Sequence, residues 1–176
     1  MYSGKRGMVL ENALDMTNQT YKNKGLALID KVPTPWKVHF DKRNNRATQA
    51  FPDKKSTVDF VGVSHGRAIA FEAKSTKIRT SFPLKNVEAH QVNYLLNYQD
   101  QGGIAFLIIY FEKLGESYFV KIDDFYEWWA AMEEGGRKSI PYNWFMLNCD
   151  RIKSSNGVIL NYLEFCNTAY KTERGS

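Results

Sequence analysis

Apolar positions along the chain change their period several times, and each change marks a predicted element. Leu10, Leu14, Thr17 and Tyr21 recur at steps of three and four, which places them on one helix face, and Gly25 stands where that helix would end. Residues 26–32 read as a strand, broken by Pro33-Thr34-Pro35. Trp36, Val38 and Phe40 then alternate with Lys37 and His39, the pattern of a half-buried strand. Lys42-Arg43-Asn44-Asn45-Arg46 is a basic turn, and residues 48–51 return as a second strand. This piece holds too few apolar residues for a core of its own. It is expected to project from the body as a two-stranded stalk, about residues 36–55.

Residues 58–63 and 68–74 flank Ser64-His65-Gly66-Arg67, a hairpin with a two-residue turn at His65-Gly66. Asn86 is expected to cap a helix from Val87 to about Gln101, with Gln91, Leu95 and Tyr98 on one face and Gly102 after it. Residues 104–111 form an unbroken apolar run, the mark of a buried strand, and residues 117–122 follow through another hairpin. Asp123 is expected to cap a helix through Met132, ended by Gly135-Gly136, and residues 158 to about 169 a final helix. The order predicts an α/β fold with a mixed central sheet flanked by helices. We read residues 1–176 as one domain carrying the stalk as an insertion.

Composition narrows the class. No stretch approaches the roughly 20 apolar residues that span a bilayer, and no apolar segment follows Met-Tyr-Ser-Gly-Lys-Arg-Gly, so a cytoplasmic protein with no membrane partner is expected. Cys149 and Cys166 are expected as buried thiols, and with His39, His65 and His90 scattered no zinc spacing exists. The net charge of +5 matters less than its placement. Lys31, Lys37, Lys42, Arg43, Arg46, Lys54, Lys55, Arg67, Lys74, Lys77 and Arg79 face only Asp41, Asp53, Asp59 and Glu72 in the same stretch. Such one-sidedness is an electrostatic footprint for phosphates, or else a solvated basic face.

The hairpin carries the candidate chemistry. With His65-Gly66 as the turn, Ser64 pairs with Arg67 and Asp59 falls opposite Glu72. Ala70, Glu72 and Lys74 then share one sheet face, and Ile69, Phe71 and Ala73 the other. Facing carboxylates repel, which a divalent cation would offset, with Lys74 adding positive charge. Two carboxylates and a lysine suit phosphodiester cleavage. Mg²⁺ is held through one or two carboxylates plus substrate phosphate. It polarises the phosphoryl oxygen and activates water, and an ammonium stabilises the charge that gathers. An acid-x-Lys pattern alone is cheap, as Asp53-Lys54-Lys55 shows. A hairpin with a cross-strand salt bridge stands as the alternative. Glu11, beside Leu10, reads by position as a solvent-facing helix carboxylate.

Several segments also resemble, in order, the RecU family, Holliday-junction resolvases of Gram-positive bacteria and some of their phages. They are Arg6-Gly7-Met8-Val9-Leu10-Glu11, Pro33-Thr34-Pro35, Lys42-Arg43, Ser56-Thr57-Val58-Asp59, Phe71-Glu72-Ala73-Lys74, Thr80-Ser81-Phe82-Pro83-Leu84, His90-Gln91 and Gly136-Arg137-Lys138-Ser139-Ile140. The resemblance covers nearly the whole chain. It implies a restriction-endonuclease-like nuclease, homodimeric, that cuts opposed strands of branched DNA, four-way junctions above all, and that acts on a strand-exchange recombinase as well. It implies Mg²⁺, with Mn²⁺ as a substitute, on Asp59 and Glu72. Glu11 becomes a metal-site carboxylate and Lys74 the catalytic lysine. Lys31 and Arg43 match positions that handle DNA, and Arg6, Thr80 and Gln91, inside the shared motifs, join the basic residues as candidate DNA contacts. The chain departs from the family pattern at Asn44-Asn45-Arg46, which is more polar, and begins almost at the Arg-Gly motif, where longer relatives carry an extension. Another restriction-like nuclease acting on duplex or branched DNA, and a non-catalytic DNA-binding module, are the competing readings.

Overall fold

A computed structural model describes residues 8–33, 36–41, 43–44, 46–52 and 57–168. Helix α1 (Met8–Asn23) buries Leu10, Leu14, Thr17 and Tyr21, the face its period predicted, and Gly25 at φ +67 lies just beyond its end. Strand β1 (Leu28–Lys31) is the shorter core of the expected strand. Strands β2 (Trp36–Asp41) and β3 (Arg46–Pro52) pair antiparallel as a sheet of their own, with a bulge between His39 and Phe40. The expectation of a half-buried strand is corrected here. Lys37, Val38 and His39 are all exposed, and no described side chain of the hairpin is buried. A two-stranded sheet that pairs with no other strand offers nothing to cover its faces. Arg46 opens β3 rather than lying in the turn.

Strands β4 (Phe60–Ser64) and β5 (Arg67–Thr76) form the predicted hairpin, with Ser64 opposite Arg67 and Phe60 opposite Phe71. His65 (φ 49) and Gly66 (φ 78) both take positive φ, the type I′ turn whose twist matches a two-residue hairpin. After β6 (Ser81–Pro83) and a 3₁₀ turn (Leu84–Asn86), helix α2 (Ala89–Asp100) crosses over to β7 (Ile104–Phe111), parallel to β5. Strand β8 (Glu116–Lys121) returns antiparallel, and α3 (Ile122–Glu133), β9 (Ser139–Pro141), α4 (Tyr142–Asn148), β10 (Asp150–Ile152) and α5 (Leu163–Thr168) complete the order. The main sheet runs β1-β4-β5-β7-β8-β10, mixed as expected and flanked by helices, and β6 pairs with β9.

Each sheet face has its own core. Ala70, Leu107, Ile109 and Val120 pack with Leu95, Phe125 and Phe145 from α2, α3 and α4. Ile69, Phe71, Phe106 and Ile108 pack with Leu10, Leu14 and Tyr21 of α1 and with Tyr162 and Cys166. On this second face Phe60, Phe71, Phe106 and Phe119 stack across four strands with centroids 4.8, 4.9 and 4.3 Å apart. Offset aromatic pairs add to area burial, so the ladder stiffens the sheet directly behind Glu72.

Several boundaries differ from expectation. Helix α2 is capped by Glu88, not Asn86, because Gln91 at its third position completes a capping box with Glu88. Helix α3 begins at Ile122, and Asp123 in its first turn accepts bonds from Gln99 Nε2 (2.8 Å to each oxygen), joining two helices instead of capping one. The final helix is shorter, since Ser155 and Val158 pair across a turn with Asn156 and Gly157 at positive φ. Cys149 is half-buried and Cys166 buried; both are free, and burial pushes both thiols up to about 12, far from the reactive range. No described helix is long and apolar enough to cross a membrane.

Gly62 sits opposite Ile29 where β1 meets β4, and a Cβ there would lie 2.2 Å from the Leu28 carbonyl oxygen and 2.6 Å from Ile29 Cα. Backbone cannot yield as a side-chain tip can. Gly62→Ala should cost about 1–3 kcal/mol, read as a lowered denaturant midpoint. An unchanged midpoint would show that β1 does not lie this close.

Candidate active site

Strand β5 alternates, so Glu72 and Lys74 project on the face opposite Phe71. Asp59 lies one residue before β4, and the reason the ladder stops there is visible in its bonds. Asp59 N–H donates to Glu72 Oε2 (3.0 Å), and Ala73 N–H donates to Asp59 Oδ2 (3.0 Å). Each carboxylate therefore takes the backbone donor of the other strand, where a further ladder pair would have used it. The Asp59 carbonyl accepts from Val32 N–H (2.8 Å), which holds the turn of chain against the end of β1.

Glu72 is fully buried. Its Oε1 accepts from Gln91 Nε2 (2.6 Å) and from the Lys74 ammonium (2.7 Å), whose side chain keeps 23 % exposure. Burial above all, and then the Asp59 carboxylate, push Glu72 up to about 8, and Lys74 pulls it back. The structure thus brings Asp59, Glu72 and Lys74 together as the sequence implied.

It does not bring Glu11 into the same set. Glu11 pairs with Lys31 (2.6 Å), both half-open to solvent, and this bond, with Asp15 and Asp59 adding at longer range, holds the Lys31 ammonium above its usual range. Lys31 accordingly feels both Glu11 and Asp59. Among the described residues, no three His, Cys, Asp or Glu side chains converge as a ready-made metal cage. Asp59 and Glu72 are the two hard-oxygen donors that do meet, and Asp59 Oδ1 has no hydrogen-bond donor among the described residues.

The candidate DNA contacts divide. Lys31, Arg43 and Arg46 are exposed, and Arg43 and Arg46 stand on the β2–β3 hairpin. Lys77, Arg79 and Thr80 are exposed just past the end of β5; Lys77 lies 3.9 Å from Glu112, and Thr80 O accepts from Tyr142 N–H. Arg67 starts β5 at the opposite end, close enough to Cys166 to act on its thiol, and so lies away from the carboxylates. Gln91 is buried against Glu72 and cannot serve as a surface contact, a correction with a simple cause: its amide is already committed on both sides. Its placement had a legible signal, the Glu88-Ala89-His90-Gln91 capping-box spacing. Arg6, Lys42, Lys54 and Lys55 lie outside the described residues.

Known proteins bear on this arrangement. The family model described as "Recombination protein U", RecU, matches residues 5–168. A Holliday junction resolvase RecU of Geobacillus kaustophilus is 44 % identical over 140 residues, 77 % of this chain and 70 % of the relative. One of Pediococcus pentosaceus is 40 % identical over 165 residues, 92 % of this chain and 82 % of the relative. Among solved structures, the Holliday junction resolvase Hjc of Archaeoglobus fulgidus is 15 % identical with a TM-score of 0.42, covering 76 % of this chain and 92 % of that one, a likeness too slight to add to the argument.

A carboxyl group raised by folding favours the folded state while protonated. Its contribution is complete below the unfolded value near 4.5 and is lost as pH rises through about 8. Without divalent metal, stability should therefore fall across that window. Glu72→Gln, which cannot ionise, should flatten the fall in a series of thermal melts. Parallel pH profiles for the two proteins would show that Glu72 does not carry the burial penalty.

Proposed function

We propose, from the premise that this chain belongs to the RecU family, that it is a metal-dependent endodeoxyribonuclease resolving four-way DNA junctions. The observation that carries the reading is the meeting of Asp59, Glu72 and Lys74 at one end of the β4–β5 hairpin, with a carboxylate buried that phosphate binding alone would not need. Asp59 and Glu72 would hold Mg²⁺, or Mn²⁺ in its place. Two carboxylates with room for water and a substrate phosphate are what such an ion takes. Bound there, the ion would polarise the scissile phosphoryl group and lower the pKa of an attacking water.

The chain's own groups do the rest. Lys74 rests on Glu72 Oε1, where its ammonium offsets the carboxylate charge. Its partly exposed stem lets it turn toward a phosphate, to orient water and to stabilise charge developing on the phosphoryl oxygens. Glu11 keeps Lys31 charged beside Asp59, so Lys31 serves as a backbone-phosphate contact next to the cleavage point. Lys77, Arg79 and Thr80 extend that contact beyond β5. A homodimer would present two such sites to opposed strands. The exposed β2–β3 hairpin, with Arg43 and Arg46, would enter the junction centre, where phosphates of four arms crowd together. A strand-exchange recombinase is a further partner of this reading.

Two experiments test it. With four-way, nicked, flap and duplex DNA, cleavage should favour the four-way junction, require Mg²⁺ and stop in EDTA. Asp59→Asn and Glu72→Gln should each lower turnover by about 10²–10³-fold with junction affinity retained. Near-normal turnover in both would end the assignment. In the second, Arg43→Ala with Arg46→Ala should weaken junction binding and reduce the slope of log K against log salt by roughly 1.8, about 0.9 for each phosphate no longer neutralised. Duplex binding should change much less. An equal weakening on both DNAs would make the hairpin a general phosphate contact and favour a duplex nuclease.

A further inference from the structure

The buried amide of Gln91 has a fixed polarity, and that polarity is set from outside the carboxylate site. Gln91 occupies the third position of α2, and its Oε1 accepts the Glu88 backbone N–H at 3.0 Å. A backbone N–H can only donate, so the atom facing it must be the amide oxygen. The amide nitrogen is thereby turned the other way, onto Glu72 Oε1 at 2.6 Å. With Gln91 8 % exposed and Glu72 fully buried, neither group has water to fall back on. Glu72 Oε2 is fixed separately by Asp59 N–H, and the remaining contact on Oε1 is the movable Lys74.

We infer that Gln91 is a positioning residue for the metal carboxylate. It clamps the Glu72 rotamer through the α2 capping box, so that Lys74 can leave Oε1 without the carboxylate losing its place. The inference rests on the proposed metal-dependent reading and adds to it a specific path from helix cap to ligand. It also replaces the expectation that Gln91 touches DNA. Partners of ligating groups commonly affect metal affinity or activity by about 10–100-fold, and a buried carboxylate deprived of its one rigid side-chain donor should show an effect in that range.

The test uses the full chain and two variants. Gln91→Met keeps length and volume but removes both hydrogen bonds. Glu88→Ala removes the Glu88 side chain from the cap and leaves the Gln91–Glu72 bond, so it reports helix capping alone. Binding of Mn²⁺ by calorimetry, junction affinity in EDTA, and kcat and KM on the junction are measured for each. Gln91→Met should bind Mn²⁺ about 10–100-fold more weakly and lose kcat, with junction affinity and KM unchanged. Glu88→Ala should melt earlier yet bind Mn²⁺ as the parent does. Weakened junction affinity with Mn²⁺ binding intact in Gln91→Met would overturn the inference in favour of a DNA contact. Equally weakened Mn²⁺ binding in both variants would reduce Gln91 to a cap. Should Gln91→Met not fold, Gln91→Asn, which keeps the amide but falls short of Glu72, is measured the same way and must show the same split. A parent protein that binds no Mn²⁺ would instead sink the metal-dependent reading itself.

Discussion

A carboxylate removed from water is expensive unless donors replace its hydration, and Glu72 has no exposure at all. Three donors meet it: the Asp59 backbone, the Gln91 amide and the Lys74 ammonium. They come from three parts of the chain, the approach to β4, the first turn of α2, and β5 itself. The relative placement of those elements is therefore tied to the satisfaction of one side chain. A shift of α2 along the sheet, or a slip in the β4–β5 register, would strand a charge in the interior. Asp59 adds the opposing constraint, since its own charge raises the cost of ionising Glu72.

The rest of the sheet supports this demand. The face behind Glu72 is filled by rings, with Phe71 stacked between Phe60 and Phe106. Close-packed interiors transmit strain and do not absorb it, so β5 cannot relax by sinking into that layer. In front, Leu95 and Val92 of α2 are buried in the opposite core and keep the helix down on the sheet. The parallel pairing of β5 with β7 places Glu72 beside Leu107 and Lys74 beside Ile109, both fully buried. The site is a polar opening at the rim of an otherwise apolar pair of layers, and its groups have fixed neighbours on nearly every side.

Much of this could be read from residues. The α1 face, the His65-Gly66 turn and the alternation that puts Glu72 and Lys74 on one side depend on local period and on turn chemistry, both written in the sequence. The boundaries that failed depend on tertiary partners. Asn86 and Asp123 have the chemistry of caps, but Glu88 with Gln91 forms the better box and Asp123 is drawn to Gln99. Simple counting also set Asp59 opposite Glu72 as a ladder pair. It missed that the two side chains would take over the backbone donors and end the ladder there. Strands β6, β9 and β10 run three residues each, too short for any period to declare itself. Gln91 was legible as a cap and not as a ligand's neighbour, because nothing local specifies which strand a helix will cover.

The state of Lys74 links this architecture to chemistry. Its ammonium and the Gln91 amide share one oxygen, yet they differ in freedom. Gln91 is locked by a backbone bond at its other end, and Lys74 hangs on a flexible stem near solvent. A fixed donor and a movable one on the same atom allow the movable one to depart at modest cost, because the carboxylate remains hydrogen-bonded and oriented when it goes. Nearby, Lys31 has a comparable choice between Glu11 and an incoming phosphate, at an exposed position where exchange with water is easy. Both ammonium groups are thus held on carboxylates in the absence of DNA. A phosphate backbone arriving beside Asp59 would compete for them, so that the cations nearest the cleavage point are already in place and charged before the substrate binds.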